Sequence, residues 1–114
     1  MDSQQILPLG MLCIAERTVT ELVEMAIDEV PGVSKVVSKV PEPFRRKRRK
    51  GIWIEEKEKG LVIHVNVIIC NTTAVLPTCI TVQERIKECV ESVIGLPVQS
   101  VCIRVEQLLK AYPS

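Results

Sequence analysis

LVIHVNVIIC, residues 61–70, alternates without a break. Leu61, Ile63, Val65, Val67 and Ile69 fall on one side of an extended chain, and Val62, His64, Asn66, Ile68 and Cys70 on the other. That period predicts a strand with one apolar face turned to a core, and the remaining sequence must supply the cover. Just before it, GIWIEE at residues 51–56 reads as the partner strand of a hairpin, joined through the polar turn Lys57-Glu58-Lys59-Gly60.

Two helices provide the cover. In residues 18–30, TVTELVEMAIDEV, the residues Val19, Leu22, Val23, Ala26, Ile27 and Val30 form one stripe, with Glu21, Glu24 and Asp28 opposite. Thr18 and Glu21 read as a capping box, and Pro31-Gly32 as the stop. Residues 81–94 repeat the plan with Val82, Ile86, Cys89, Val90 and Val93, a cap at Thr81 with Glu84, and Gly95 as the stop. Short strands are expected at 12–15, 33–40 and 98–105. The order β-α-β-β-β-α-β predicts an α+β two-layer sandwich, with two helices on one face of a mostly antiparallel sheet. A constant shift lays Val23, Ala26, Ile27 and Val30 over Ile86, Cys89, Val90 and Val93, which is a weak internal repeat.

A chain of 114 residues is one domain by length. The boundaries read as an N-terminal tail at 1–11, a single domain at 12–106 and a C-terminal tail at 107–114. Apolar residues make up 46%, mostly Val, Ile and Leu, with one Phe, one Trp and one Tyr. Such a composition is globular, and it is poor in the rings that a single-strand nucleic-acid platform stacks on bases. The first dozen residues lack the basic start and continuous apolar run of a signal peptide. Residues 61–70 are too short to span a bilayer. A cytoplasmic protein is expected, with peripheral contact at the inner face of the membrane left open.

Charge is distributed unevenly. The formal net charge is +1, yet Arg45, Arg46, Lys47, Arg48, Arg49 and Lys50 form one uninterrupted basic run. Without it, nine Lys/Arg face fourteen Asp/Glu, so the rest of the molecule is acidic. Local charge density decides what a surface attracts. The run therefore reads as a site for an anionic partner: a membrane surface, nucleic acid or an acidic protein. A merely solvated loop is the competing reading. Pro41 and Pro43 keep the preceding segment out of the sheet, so the charges are expected on a loop.

Three segments in the right order carry a family resemblance. IAERTVTELVEMAIDEVPGV resembles the opening motif of the alkaline shock protein family, whose helix ends in Glu-Val-x-Gly-Val, matched by Glu29, Val30, Gly32 and Val33. GIWIEEKEKGLVIHVNVII is similar to that family's central hairpin, and QERIKECVESVIGLPVQSVCIRV to its closing segment. The resemblance implies a small non-enzymatic cytoplasmic protein of Gram-positive bacteria, associated with envelope homeostasis and stress response. Some members are held at the membrane by a separate anchor protein. This chain departs from the pattern where PEPFRRKRRKG replaces the family's Gly-rich link.

The remaining sites are weighed on their residues. Lys39, Trp53, His64, Asn66 and Arg104 fall by alternation on the sheet face without a helical cover, a candidate surface for a protein partner or self-association. Plain solvent exposure is the alternative. Trp53 is expected exposed beside the cations, or else covering an edge of the core. Cys13, Cys70, Cys79, Cys89 and Cys102 contain no CxxC pair, so they read as reduced thiols and no metal site is expected. His64 has no recognisable nucleophile or carboxylate partner in sequence. No catalytic residue and no cofactor are expected, and a nucleic-acid-binding protein using the basic run is the alternative function.

Overall fold

The computed structural model describes residues 2–35, 51–70 and 74–109. Its elements run β1 (Asp2–Leu7), β2 (Gly10–Ala15), α1 (Glu16–Asp28), β3 (Val33–Lys35), β4 (Ile52–Lys57), β5 (Gly60–Cys70), α2 (Val75–Ile94) and β6 (Val98–Leu109). Strand β5 is the spine. It pairs β6 in parallel along one edge from Leu61 to Cys70, and on its other edge it pairs antiparallel with both β4 and β3. The fold is α+β, with both helices on one face of this four-stranded sheet.

The alternation of residues 61–70 sets which face is covered. Leu61, Ile63, Val65, Val67 and Ile69 are buried, together with Ile52 and Ile54 of β4 and Val98 and Val101 of β6. Against them pack Val19, Val23, Ala26 and Ile27 of α1 and Val82, Ile86 and Val90 of α2. A layer built almost wholly of Val and Ile suits a pleated sheet, because β-branched side chains interlock there at little cost in rotamer freedom. The helical repeat is visible in the packing, since Val19, Val23 and Ile27 have buried counterparts in Val82, Ile86 and Val90. It ends there: Val30 is buried but Val93 is exposed, and β3 and β6 run in opposite senses beside β5.

Several boundaries differ from the sequence reading. Residues 2–7 form a strand paired with β2 from Asp2↔Ala15 to Leu7↔Gly10, where an N-terminal tail at 1–11 was expected. The reason is the Pro8-Leu9 turn, which reverses the chain and gives the first residues a partner. Strand β6 continues to Leu109, into the expected C-terminal tail at 107–114. Helix α1 starts after Ala15 and α2 after Ala74, with no side-chain cap on either, so neither capping box forms. The Thr81 hydroxyl instead donates to the Pro77 carbonyl one turn back. Helix α2 begins earlier because its buried stripe extends to Thr78, four residues before Val82, and Pro77 is tolerated in a first turn.

The C-terminal end of α2 is clasped to β6. Gly95 closes the helix in the left-handed conformation, and its N–H donates to the Glu91 carbonyl. The Glu91 carboxylate accepts from the Val98 N–H at 2.8 Å and from Lys87 at 3.2 Å. Lys87 also donates to the Val98 carbonyl. The Val98 hydrogen bond, then Lys87, hold the Glu91 carboxyl below its ordinary range.

Candidate interaction surfaces

Two features of the sheet bear on function, and both follow from the two edges of β5. The first is how β3 and β4 share one edge. Lys35 lies opposite Val67 and Ile52 opposite Val65, so the two short strands follow one another along β5 in the same direction. Their facing positions on β5 are two residues apart, about 7 Å. Residues 36–51 are therefore an excursion from what is otherwise one continuous edge strand. Gly51, at its return, is buried. The six cations, Arg45 to Lys50, belong to that excursion, and like Lys39 they lie outside the described residues.

The second feature is the sheet face opposite the helices, which carries no helix or strand among the described residues. Alternation places Trp53 and Glu55 of β4, His64 and Asn66 of β5, and Cys102 and Arg104 of β6 on it. The register sets them in ranks: Trp53 beside His64 and His64 beside Cys102, with Asn66 beside Arg104 in the next rank. Four of the five residues named from sequence for this surface, Trp53, His64, Asn66 and Arg104, thus share one face.

Trp53 is half-buried, and its ring lies flat on the His64 imidazole. The ring centroids are 4.5 Å apart and the planes differ by 3°. Directly opposed cross-strand neighbours stand close enough for such stacking. His64 Nε2 is also 3.2 Å from Glu55 Oε1, but buried and out of hydrogen-bonding alignment. Glu55 pairs with Lys57 at 3.1 Å, and that hydrogen bond and charge, with a smaller contribution from His64, hold its carboxyl below the ordinary range. Arg104 meets Glu106 at 3.4 Å, on the exposed edge strand. The outcome is a stacked aromatic patch framed by compensated charges, which has the makings of a contact surface.

Glu55 was missed from sequence, although the same alternation that placed Trp53 on this face also places Glu55 there. The N-terminal hairpin was missed as well. Its signal was the Pro8-Leu9-Gly10 turn between two uncharged runs. None of the five cysteines forms a disulfide; Cys13 and Cys102 are exposed and the other three partly buried. Burial pushes the Cys79 thiol up, and burial with the charges of Glu29 and Glu88 does the same to Cys89, whose Sγ contacts the Leu22 carbonyl. Among the described residues no group of three or more His, Cys, Asp or Glu side chains converges on a metal position. No described helix is long and apolar enough to cross a membrane.

Comparison with known proteins gives one result. The model of a family with cell envelope-related function, alkaline shock protein 23, matches residues 5–109. No curated protein and no solved structure matches the chain.

Proposed function

This chain belongs to the alkaline shock protein 23 family, whose function is cell envelope-related, and we propose that it acts there as a non-enzymatic interaction module with a basic loop directed at an anionic surface. The observation that supports the reading most is the register at the sheet edge. Lys35 faces Val67 of β5 and Ile52 faces Val65, so the two ends of segment 36–51 lie at neighbouring positions on one sheet edge. A connection that starts and ends at one edge and holds six adjacent cations has the charge to serve a contact.

The partner proposed is the anionic face of a membrane. Each Lys or Arg near such a surface contributes roughly 1 kcal/mol, so six hold a small domain there weakly and in a salt-dependent way. The Trp53–His64 face is proposed to receive a protein partner. An exposed sheet face with a stacked tryptophan offers apolar area already held in one rotamer, which lowers the ordering cost of binding.

The test is a co-sedimentation series with vesicles of phosphatidylcholine alone and with added phosphatidylglycerol, across rising salt. The native chain should bind only the anionic vesicles and be released as salt increases. A variant with Arg45 to Lys50 replaced by Ser and Gly should lose that binding and keep its melting temperature. Retention of duplex or single-stranded nucleic acid with no vesicle binding would transfer the loop to the nucleic-acid reading. Vesicle binding that survives the replacement would remove the loop from the proposal altogether.

A further inference from the structure

The β1–β2 hairpin stands apart from the sheet that builds the core. Its two strands pair only with each other, and among the described residues neither outer edge carries a further strand. On one of its faces Ile14 packs on the core, while Leu7 and Leu12 of that face remain 47% and 42% exposed. The opposite face and the tip are open: Ile6 is 90% exposed, Leu9 102% and Met11 62%. Ile6 and Met11 are cross-strand neighbours, so the exposed side chains form one patch and not scattered singles.

A two-stranded ribbon is marginal in water, and three or more strands with an apolar face are needed for independent stability. Here the usual protections of an open edge are missing. Residues 3–15 contain no Lys, Arg, Asp or Glu, and the single proline sits in the turn. The ribbon therefore presents an apolar patch together with a row of backbone donors and acceptors that no strand takes up among the described residues.

Charge decides among the occupants. A ribbon without charges meets its own copy without like-charge repulsion, and an isologous contact places the same surface on both sides. An anionic bilayer is a poorer match. The groove beside Gln5 is lined by Glu56, Lys57 and Glu58, so the charged residues at the flank of the hairpin are predominantly acidic. We infer that β1 pairs antiparallel with β1 of a second copy of this chain, completing a four-stranded sheet in the order β2-β1-β1-β2. A two-fold axis normal to the ribbon makes the Ile6–Met11 faces of the two copies continuous. It also sets the two Asp2 residues, the only charges in the paired strands, at opposite ends. This inference does not depend on the basic loop.

Sedimentation equilibrium of the full chain over a concentration series tests it. A reversible monomer–dimer equilibrium is expected, accompanied by concentration-dependent amide protection confined to residues 3–7. Ile6→Lys should weaken dimerisation roughly tenfold or more, because a lysine then replaces an isoleucine that would have left water. Gln4→Lys, on the same face, should act in the same direction. Met25→Lys, also exposed but on α1, should leave the equilibrium unchanged, as should neutralising residues 45–50, so failure of the membrane reading leaves this one standing. Circular dichroism and a cooperative melt establish that each variant keeps its core. A chain that stays monomeric at every concentration overturns the proposal. So does a dimer indifferent to both lysines, or a monomer that binds phosphatidylcholine vesicles through Ile6.

Discussion

Strand β5 and residues 3–15 of the β1–β2 hairpin both lack Lys, Arg, Asp and Glu, yet they sit in opposite surroundings. Ile63 in β5 is fully buried, while Ile6 in β1 is 90% exposed. Charge does not separate them and both are rich in aliphatic residues, although only β5 alternates. What separates them is neighbours: β5 has strands on both edges and two helices over one face, and β1 has a single partner strand among the described residues. Apolar sequence states a demand for cover, and topology decides whether the molecule itself meets it.

The largest expected effect breaks that contrast directly. Ile63→Ala should cost about 2–5 kcal/mol of stability in a denaturant melt, the loss of transfer energy plus an incompletely collapsed cavity. Ile6→Ala, measured at concentrations low enough to keep the chain monomeric, should lie within about 0.5 kcal/mol of wild type, because little leaves water at that position when the chain folds alone. Comparable losses at the two sites would show that the hairpin is part of the core and that the contrast is wrong.

A finer version uses the glycines that open the second strand of each hairpin. Gly10 follows the Pro8-Leu9 turn with φ of 145°, and Gly60 follows the Glu58-Lys59 turn with φ of 138°. Both torsions are rarely adopted by L side chains, so alanine strains either one by about 1–3 kcal/mol. The surroundings then diverge. A Cβ on Gly10 meets nothing within 4 Å, whereas on Gly60 it falls 2.6 Å from the Pro97 carbonyl oxygen. That oxygen accepts from the Leu61 N–H and ties the start of β6 to β5, so it cannot withdraw freely. Gly60→Ala should therefore lower the melting temperature clearly more than Gly10→Ala. Equal shifts would mean that the Pro97 connection yields easily.

The same logic marks how much was legible beforehand. The core face could be read because period-two and helical patterns agree there: Ile63 and Val65 alternate in register with the stripe of Val19, Val23 and Ile27. The shared open face could be read too, since Trp53, His64 and Arg104 were placed by alternation alone. What alternation cannot give is pairing across distance. That Lys35 and Ile52 face β5 two positions apart depends on which edges meet, and so does the parallel sense of β6. Helix starts were misread for another reason. Thr18 and Thr81 offer good capping chemistry, but in α2 buried Thr78 extends the packing stripe past Thr81, and burial outweighs a cap worth about 1 kcal/mol; α1 begins only two residues before Thr18, with no buried residue ahead of Val19.

The smallest effect compares thiols. Cys13 lies on the exposed hairpin, Cys70 is partly buried at the end of β5, and Cys79 and Cys89 are partly buried on α2. The thiolate is the reacting species, so exposure and thiol acidity act together on the rate of modification. For Cys79 and Cys89 burial raises the pKa above the ordinary 9.0. A raised pKa means less thiolate at any pH below it, and the deficit closes only as pH climbs through the shifted value. With a neutral disulfide reagent at pH 8, Cys13 and Cys102 should therefore react first, Cys70 later, and Cys79 and Cys89 last. Mass mapping of the labelled chain at short times reads the order. Raising the concentration sharpens the comparison further: if copies of the hairpin pair through β1, Cys13 on β2 should slow modestly while Cys102, on the far sheet, keeps its rate. A slowing shared equally by both would point to association through the open sheet face instead.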